Sequence, residues 1–136
     1  MPIYIAAQVM GAVFAASLVG WLKGGSYVTA MRPDPLRAFL VELVFTFALA
    51  FVVLSVATVK KTAGNSYFGL AIGGTVMAAA YAGGGISGGA FNLAVAIGLT
   101  VMGLSAANTL WIFLAANLAG GALATLAFRA THPDES

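Results

Sequence analysis

Residues 83–103 read GGGISGGAFNLAVAIGLTVMG, and this apolar stretch constrains the rest of the chain. It carries no charge, so it does not belong in water, yet it is too short and too glycine-rich for another membrane span. Residues 92–102 would form a helix of about 16 Å, roughly half a bilayer core. Irregular backbone at that depth is tolerated only where protein buries it or where it borders a wet cavity. The stretch therefore predicts irregular, glycine-rich backbone that enters the membrane, followed by a re-entrant half-helix. A short helix in the membrane interface is the alternative.

Four longer apolar runs surround this stretch, three before it and one after it. They cover residues 2–22, 38–59, 67–82 and 109–128, and the glycines can extend the third run to residue 85. Runs of about 20 residues form helices of about 30 Å, which matches the hydrocarbon core of a bilayer. Residues 1–136 are therefore predicted to form a single transmembrane domain. Its fold class is all-α and polytopic, with four transmembrane helices and one half-helix over residues 92–102.

The composition excludes several other classes of protein. Of all residues, 61% are hydrophobic and 7% are charged, whereas a soluble domain carries about 25% charged residues. No basic patch alternates with aromatic residues, so no nucleic acid partner is expected. The chain has no cysteine and its single histidine, His132, lies near the end. Disulfides, a zinc site and a Ser-His-Asp set are therefore excluded, and we expect no metal, no cofactor and no enzymatic activity.

A faint internal repeat relates the first and fourth apolar runs. Residues 6–12 read AAQVMGA and residues 115–121 read AANLAGG, each with two small residues, an amide, and a glycine three positions after the amide. Internal symmetry together with a glycine-interrupted apolar segment is typical of transport sites in repeat-built membrane proteins. Close packing of membrane helices through small residues explains the pattern equally well.

Polar residues inside the apolar segments are the candidates for function. Glu42 is costly in a membrane span; it is either a proton-coupling carboxyl of a transporter or an anchor for the loop. The anchor is favoured because a buried loop must satisfy its N–H groups. Asn92 is either a plain helix cap or an amide that binds a passing neutral solute, while the helix dipole opposes cations. Thr46, Thr75 and Thr100 are expected to bond carbonyls of their own helices.

With these motifs in place, the sequence resembles the aquaporin and glycerol-channel family, the major intrinsic proteins. That family has a Ser-Gly-rich loop followed by Asn-Pro-Ala at the start of a half-helix, and here SGG at residues 87–89 precedes Asn92-Leu93-Ala94. The flanking runs also resemble spans of the family, in chain order. The third span is similar to MPIYIAAQVMGAVFAA, and the fourth to AFLVELVFTFALAFVVL. The fifth is similar to YFGLAIGGTV, and the sixth to TLWIFLAANLAGGALATLAFR. The resemblance thus implies the family's second repeat, preceded by its third span.

The resemblance also implies roles for particular residues. Glu42 would hold the loop from behind. The residues implied to line a pore are Gly89, Ala90, Phe91, Asn92, Leu93 and Ala94. The residues implied to form the selectivity constriction are Ala80, Gly89 and Val95. Water-selective members place histidine at the position of Ala80, and the family usually has arginine at that of Val95. A wide, uncharged constriction would admit small neutral solutes such as glycerol or urea.

Leu93 stands where the motif has proline. Proline suits the first position of a helix because it has no N–H to satisfy, but leucine can also start a helix. The half-helix is therefore expected to survive this change, while the surface that faces a pore changes.

The function implied by the resemblance is passive flux of water or small neutral solutes through a membrane channel. The implied setting is a homotetramer in the cell membrane, with cytoplasmic N- and C-termini and the Asn92 loop entering from outside. A full member has six spans and two half-helices, so this chain is expected to be truncated to roughly the last three-fifths of one. The alternatives are a non-conducting fragment or partner subunit of such a channel, and a small proton-coupled transporter that uses Glu42.

Overall fold

The structure, a computed structural model, describes residues 2–25 and 29–135. Its α-helices in chain order are α1 (Pro2–Leu22), α2 (Pro35–Ala57), α3 (Phe68–Ser87), α4 (Leu93–Val101) and α5 (Leu110–Thr131). Within the described residues, four helices are long and apolar enough to cross a membrane: α1, α2, α3, and α5 with the turn before it. The remaining helix, α4, has nine residues. The predicted all-α fold, with four spans and one half-helix, is confirmed.

The beginning of α2 shows how polar residues set the helix bounds. The helix begins at Pro35, three residues before the apolar run, because proline suits the first helical position. The Asp34 carboxylate accepts a hydrogen bond of 2.9 Å from the Arg37 backbone N–H, which caps the helix. The first turn of α2 is therefore defined by this polar cap rather than by hydrophobicity.

The glycines before the half-helix belong to the third span. The sequence leaves residues 83–85 either as an extension of the third span, which is predicted over residues 67–85, or as irregular backbone, and they are helical as part of α3. Gly83 lies against α2, where an added Cβ atom would come within 2.5 Å of Val41 Cγ1. The helix ends where Gly88 adopts a left-handed conformation with φ of 98°. Only residues 88–92 form the irregular segment between α3 and α4, which is therefore shorter than the glycine-rich stretch.

The α2–α5 interface is the most extensive helix contact, and α2 also packs against α3. At its centre, a Cβ atom added to Gly120 would lie 2.6 Å from the Leu43 carbonyl oxygen and 3.0 Å from the Phe47 amide nitrogen. The two backbones therefore touch, as small residues permit between membrane helices. On the other side of the loop, α4 packs against α1, with Gly98 facing the carbonyl oxygen of Ala12.

Candidate functional site

Glu42 is the centre of the candidate site. It lies on α2 with a side chain that is 0% exposed. Its Oε1 atom accepts hydrogen bonds from the Ser87 hydroxyl at 2.7 Å and from the Ala90 N–H at 3.0 Å. Its Oε2 atom accepts one from the Phe91 N–H at 2.6 Å. Through these three bonds, one side chain links α2 to the end of α3 and to two consecutive backbone N–H groups of the irregular loop.

Ser87 links the end of α3 to the first turn of the loop. Its hydroxyl donates to Glu42 and its oxygen accepts a hydrogen bond of 3.1 Å from the Gly89 N–H. Gly89 has a φ of 68°. A Cβ atom there would lie 3.2 Å from the Cα atom of Gly84. Both the backbone conformation and the available space therefore require glycine at this position.

Phe91 has a strained backbone that turns the chain into α4. Its φ of 48° is positive, which costs a residue other than glycine on the order of 1–3 kcal/mol. Its N–H is held by Glu42, and its ring packs edge-on against Phe45 with the ring centroids 5.4 Å apart. The loop contacts thus maintain a conformation that the residue would not adopt alone.

A second polar network joins the same loop to α5. The Thr46 hydroxyl donates to the Phe91 carbonyl oxygen at 3.4 Å and accepts a hydrogen bond of 2.9 Å from Asn117 Nδ2. The Asn117 Oδ1 atom is buried and has no hydrogen-bond partner among the described residues. A groove of about 550 Å³ between α2 and α5 is lined by these three residues, together with apolar side chains of both helices.

The network corrects the interpretation of Thr46, which was expected to bond a carbonyl of its own helix. Thr46 lies one turn after Glu42, so both side chains face the loop and the hydroxyl bonds the loop instead. Thr75 and Thr100 do bond their own helices, through the carbonyl oxygens of Ala71 and Ala96. The role of Asn117 was not recognised from the sequence. The sequence does carry a signal for Asn117, since it is an amide inside an apolar span. In the internal repeat, it occupies the position that corresponds to Gln8.

Asn92 stands at the tip of α4. Its Oδ1 atom accepts a hydrogen bond of 2.8 Å from the Ala94 N–H, so the side chain caps the half-helix. The capping bond uses the amide oxygen, which leaves the NH₂ group as the part of the side chain that can donate to a solute. The free N–H groups of the first turn give this end of α4 a positive partial charge.

The structure separates the residues predicted to line a pore into two groups. Asn92, Leu93 and Ala94 are half-buried at the start of α4. The side chains of Ala90 and Phe91 are buried, and Ala90 belongs to a core cluster in the middle of the protein. That residues 89–94 line a pore stays a prediction.

The residues predicted for a selectivity constriction lie on three different elements. Ala80 is exposed on α3, Gly89 lies in the loop, and Val95 is exposed on the first turn of α4. Val95 borders a groove of about 240 Å³ between α4 and α1. None of the three carries a charge or a hydrogen-bonding side chain, so any solute path beside them has an uncharged wall.

Comparison with known proteins identifies the family of the chain. Residues 1–128 match the family model described as "Major intrinsic protein". The chain belongs to the major intrinsic protein family. Aquaporin NIP1-4 of Oryza sativa subsp. japonica is 34% identical over 131 residues, which cover 93% of this chain and 47% of that relative. Aquaporin TIP1-1 of Arabidopsis thaliana is also 34% identical, over 93% of this chain and 52% of the relative.

Nodulin-26 of Glycine max is 31% identical over 124 residues, which cover 88% of this chain and 45% of that protein. The chain thus spans about half the length of the curated relatives it matches. Membership in this family and four membrane-length helices together make it a multi-pass membrane protein.

Proposed function

We propose that this protein is a membrane channel for passive flux of water or small neutral solutes such as glycerol, and not an enzyme. The observation that carries the proposal is a half-helix whose N-terminus is held among membrane-length helices. With nine residues, α4 is about 14 Å long, too short to cross a bilayer core. Glu42 satisfies the amides of the loop that leads into it. Irregular backbone at that depth is permitted where it lines a water-filled path.

The chemistry of this tip suits a neutral solute. A hydroxyl group or a water molecule can accept a hydrogen bond from the Asn92 amide and donate one to backbone carbonyls of residues 89–91. The positive partial charge at the N-terminus of α4 repels cations. The same arrangement would therefore pass neutral solutes and oppose protons and metal ions.

The solute class follows from the residues implied to form the constriction. Ala80, Gly89 and Val95 are small or apolar. Without a charged or bulky residue, the narrowest part of the path is wide enough for glycerol or urea and lacks the polar groups of a strict water filter. We therefore propose glycerol-sized neutral solutes as the substrates in addition to water.

The geometry of Glu42 supports an anchor in preference to a proton carrier. A carrier must release its hydrogen bonds as its proton comes and goes. Here the side chain accepts one bond from the Ser87 hydroxyl at the end of α3 and two from backbone N–H groups of the buried loop, which must be satisfied. A proton on either oxygen would compete with the hydrogen bond that this oxygen accepts from a loop N–H, so the proton-coupled transporter is the weaker alternative.

The proposed setting follows the family resemblance. We place the protein in the cell membrane as a homotetramer, with both termini in the cytoplasm and the Asn92 loop entering from outside. A second candidate function is a non-conducting partner subunit of such a channel. It is favoured by α1, whose side chains are exposed on most of its surface. Helix-packing residues on such a surface point to a protein partner.

The test is stopped-flow light scattering on proteoliposomes that contain the purified chain. One run uses an osmotic gradient that moves water, and the other uses a glycerol gradient. Asn92→Asp keeps a capping side chain and adds a negative charge at the tip of α4. The matched control is Asn108→Asp, since Asn108 is exposed in the turn before α5. We expect flux above that of lipid alone, altered by Asn92→Asp and unaffected by Asn108→Asp. Rates equal to those of lipid alone would favour the partner subunit.

A further inference from the structure

A groove of about 530 Å³ lies between the beginning of α2 and the end of α3. None of the lining residues that the structure describes belongs to the Glu42 or Asn117 networks. The α2 side is lined by Asp34, Arg37, Leu40 and Val41, and the α3 side by Gly85 and Ile86. Arg37, Leu40 and Val41 are three and four positions apart, so they share one face of α2. This groove is therefore a separate feature of the molecule, with charged residues at one end and apolar residues along its length.

The chain segment before α2 forms a third wall of the groove. The Met31 N–H donates to the Leu104 carbonyl oxygen at 2.9 Å, and the Ala106 N–H donates to the Met31 carbonyl oxygen at 3.3 Å. These two bonds attach the segment to the turn between α4 and α5, while Met31 itself lines the groove. A ligand would thus find three walls already in place, which lowers the entropic cost of binding.

The apolar part of the groove is open beside Gly85. A Cβ atom added to Gly85 would meet nothing within 4 Å. Leu40 and Ile86, which border this part of the groove, are both exposed. Leu40 lies about one turn after Arg37, towards the middle of the α2 span. The apolar walls therefore extend from the charged end into the depth of the membrane, where the surrounding molecules are acyl chains.

The charged end of the groove carries one charge of each sign. The Asp34 Oδ1 atom accepts the Arg37 N–H at 2.9 Å, which places the carboxylate beside the first turn of α2. Its Oδ2 atom can accept hydrogen bonds from a cation. Both side chains are exposed, and exposed opposite charges stabilise each other little. Because α2 is a membrane-length helix that begins at Pro35, these charges lie at the level of the lipid headgroups.

We propose that this groove binds a phospholipid whose headgroup carries a primary amine, as in phosphatidylethanolamine. The forked guanidinium of Arg37 binds the phosphate. The ammonium group, two carbons away, donates to the neighbouring Asp34 carboxylate. An acyl chain lies between Leu40 and Ile86. One charge of each sign complements a zwitterion better than an anionic lipid, and a choline headgroup has no N–H to donate. The proposal does not depend on which solute passes.

The test is native mass spectrometry of the purified full chain in detergent micelles, with one lipid added at a time. The probes are phosphatidylethanolamine, phosphatidylcholine and phosphatidylglycerol with identical acyl chains. We expect phosphatidylethanolamine to bind about fivefold more tightly than either of the others, and Arg37→Gln to weaken its binding by about the same factor. The matched control is Arg32→Gln, because Arg32 is exposed but does not line the groove. It should leave binding unchanged.

Two further variants separate the effect of charge from that of shape. Asp34→Asn keeps a good helix cap and should remove the preference for phosphatidylethanolamine over phosphatidylcholine. Gly85→Leu keeps both charges but fills the open part of the groove, so it should weaken the binding of phosphatidylethanolamine. Its matched control is Gly73→Leu, at an exposed position of the same helix where an added Cβ also meets nothing within 4 Å. This control should bind the lipid normally.

Three results would overturn the proposal. The first is equal binding of the three lipids or tighter binding of phosphatidylglycerol. The second is phosphatidylethanolamine binding that Arg37→Gln and Gly85→Leu leave unchanged, because the lipid would then lie elsewhere. The third is a loss of oligomer mass in Gly85→Leu with unchanged lipid binding, which would show that a second copy covers the groove. None of these measurements requires solute flux, so their outcome is distinct from that of the channel test.

Discussion

Replacement of Glu42 by glutamine tests whether this residue is the anchor of the loop. The two side chains have nearly the same shape, but glutamine has one acceptor oxygen and one NH₂ group. If the oxygen keeps the Ser87 and Ala90 hydrogen bonds, the NH₂ group faces the N–H of Phe91. Two donors then oppose each other, and a buried backbone amide loses its partner at the residue with the strained φ.

The magnitude follows from these contacts. A hydrogen bond to a charged group contributes about 1.5–3 kcal/mol, and an unsatisfied buried donor costs about 1–3 kcal/mol. We therefore expect Glu42→Gln to lower the free energy of unfolding by about 2.5–6 kcal/mol. Glu135→Gln is the matched control, because Glu135 lies outside the spans and accepts one hydrogen bond of 3.1 Å, from the Lys60 N–H. Its loss should cost less than about 1 kcal/mol.

The assay is reversible unfolding in mixed micelles, followed by tryptophan fluorescence, with hydrogen exchange measured at the loop amides. We expect faster exchange at residues 90 and 91 in Glu42→Gln and no change there in Glu135→Gln. An unfolding free energy equal to that of the unsubstituted chain, with unchanged loop exchange, would refute the anchor. Uptake driven by an acidic gradient that Glu42→Gln abolishes without loss of stability would instead support a proton-coupled transporter.

Three further substitutions probe the helix interface, the cap and the second network. Gly120→Ala should lower stability by about 1–3 kcal/mol, because the added methyl group overpacks the contact with α2. Gly11→Ala should be neutral or stabilising in the same unfolding assay. Equal effects of the two substitutions would contradict the close approach of the α2 and α5 backbones. Asn92→Ala should cost about 1 kcal/mol by loss of the cap, and an unchanged stability would show that the cap contributes nothing. Thr46→Val leaves the Asn117 amide without its acceptor, so exchange at residues 91–94 should become faster; unchanged rates would show that the loop does not depend on this network.

The spans and the half-helix could be predicted because length and hydrophobicity alone determine them. An apolar run of about 20 residues has one stable structure in a bilayer, a helix that spans it. An apolar run half as long that follows a glycine-rich segment has few stable structures there. Glu42 could be selected for a similar reason, since a carboxylate in a span must have partners. These features depend on the local sequence and not on which helices contact each other.

The details that the sequence did not predict depend on tertiary contacts. Gly83 packs closely against Val41 of α2, a contact that glycine content alone does not predict. Thr46 bonds the loop because Phe91 folds back over α2, which requires a positive φ at a residue that rarely adopts one. That same turn buries the side chain of Ala90 in the core. Pattern and propensity cannot reveal such contacts before the chain is folded.

The most direct test of a pathway for neutral solutes is the ratio of glycerol to water permeability in proteoliposomes. It should be measured for the unsubstituted chain and for Val95→Arg, which adds a charged, bulky group at the implied constriction. Ala107→Arg, in the exposed turn before α5, serves as the control. We predict that glycerol enters faster than through lipid alone, and that Val95→Arg lowers glycerol flux more than water flux. Glycerol and water rates that equal those of lipid alone would contradict the account.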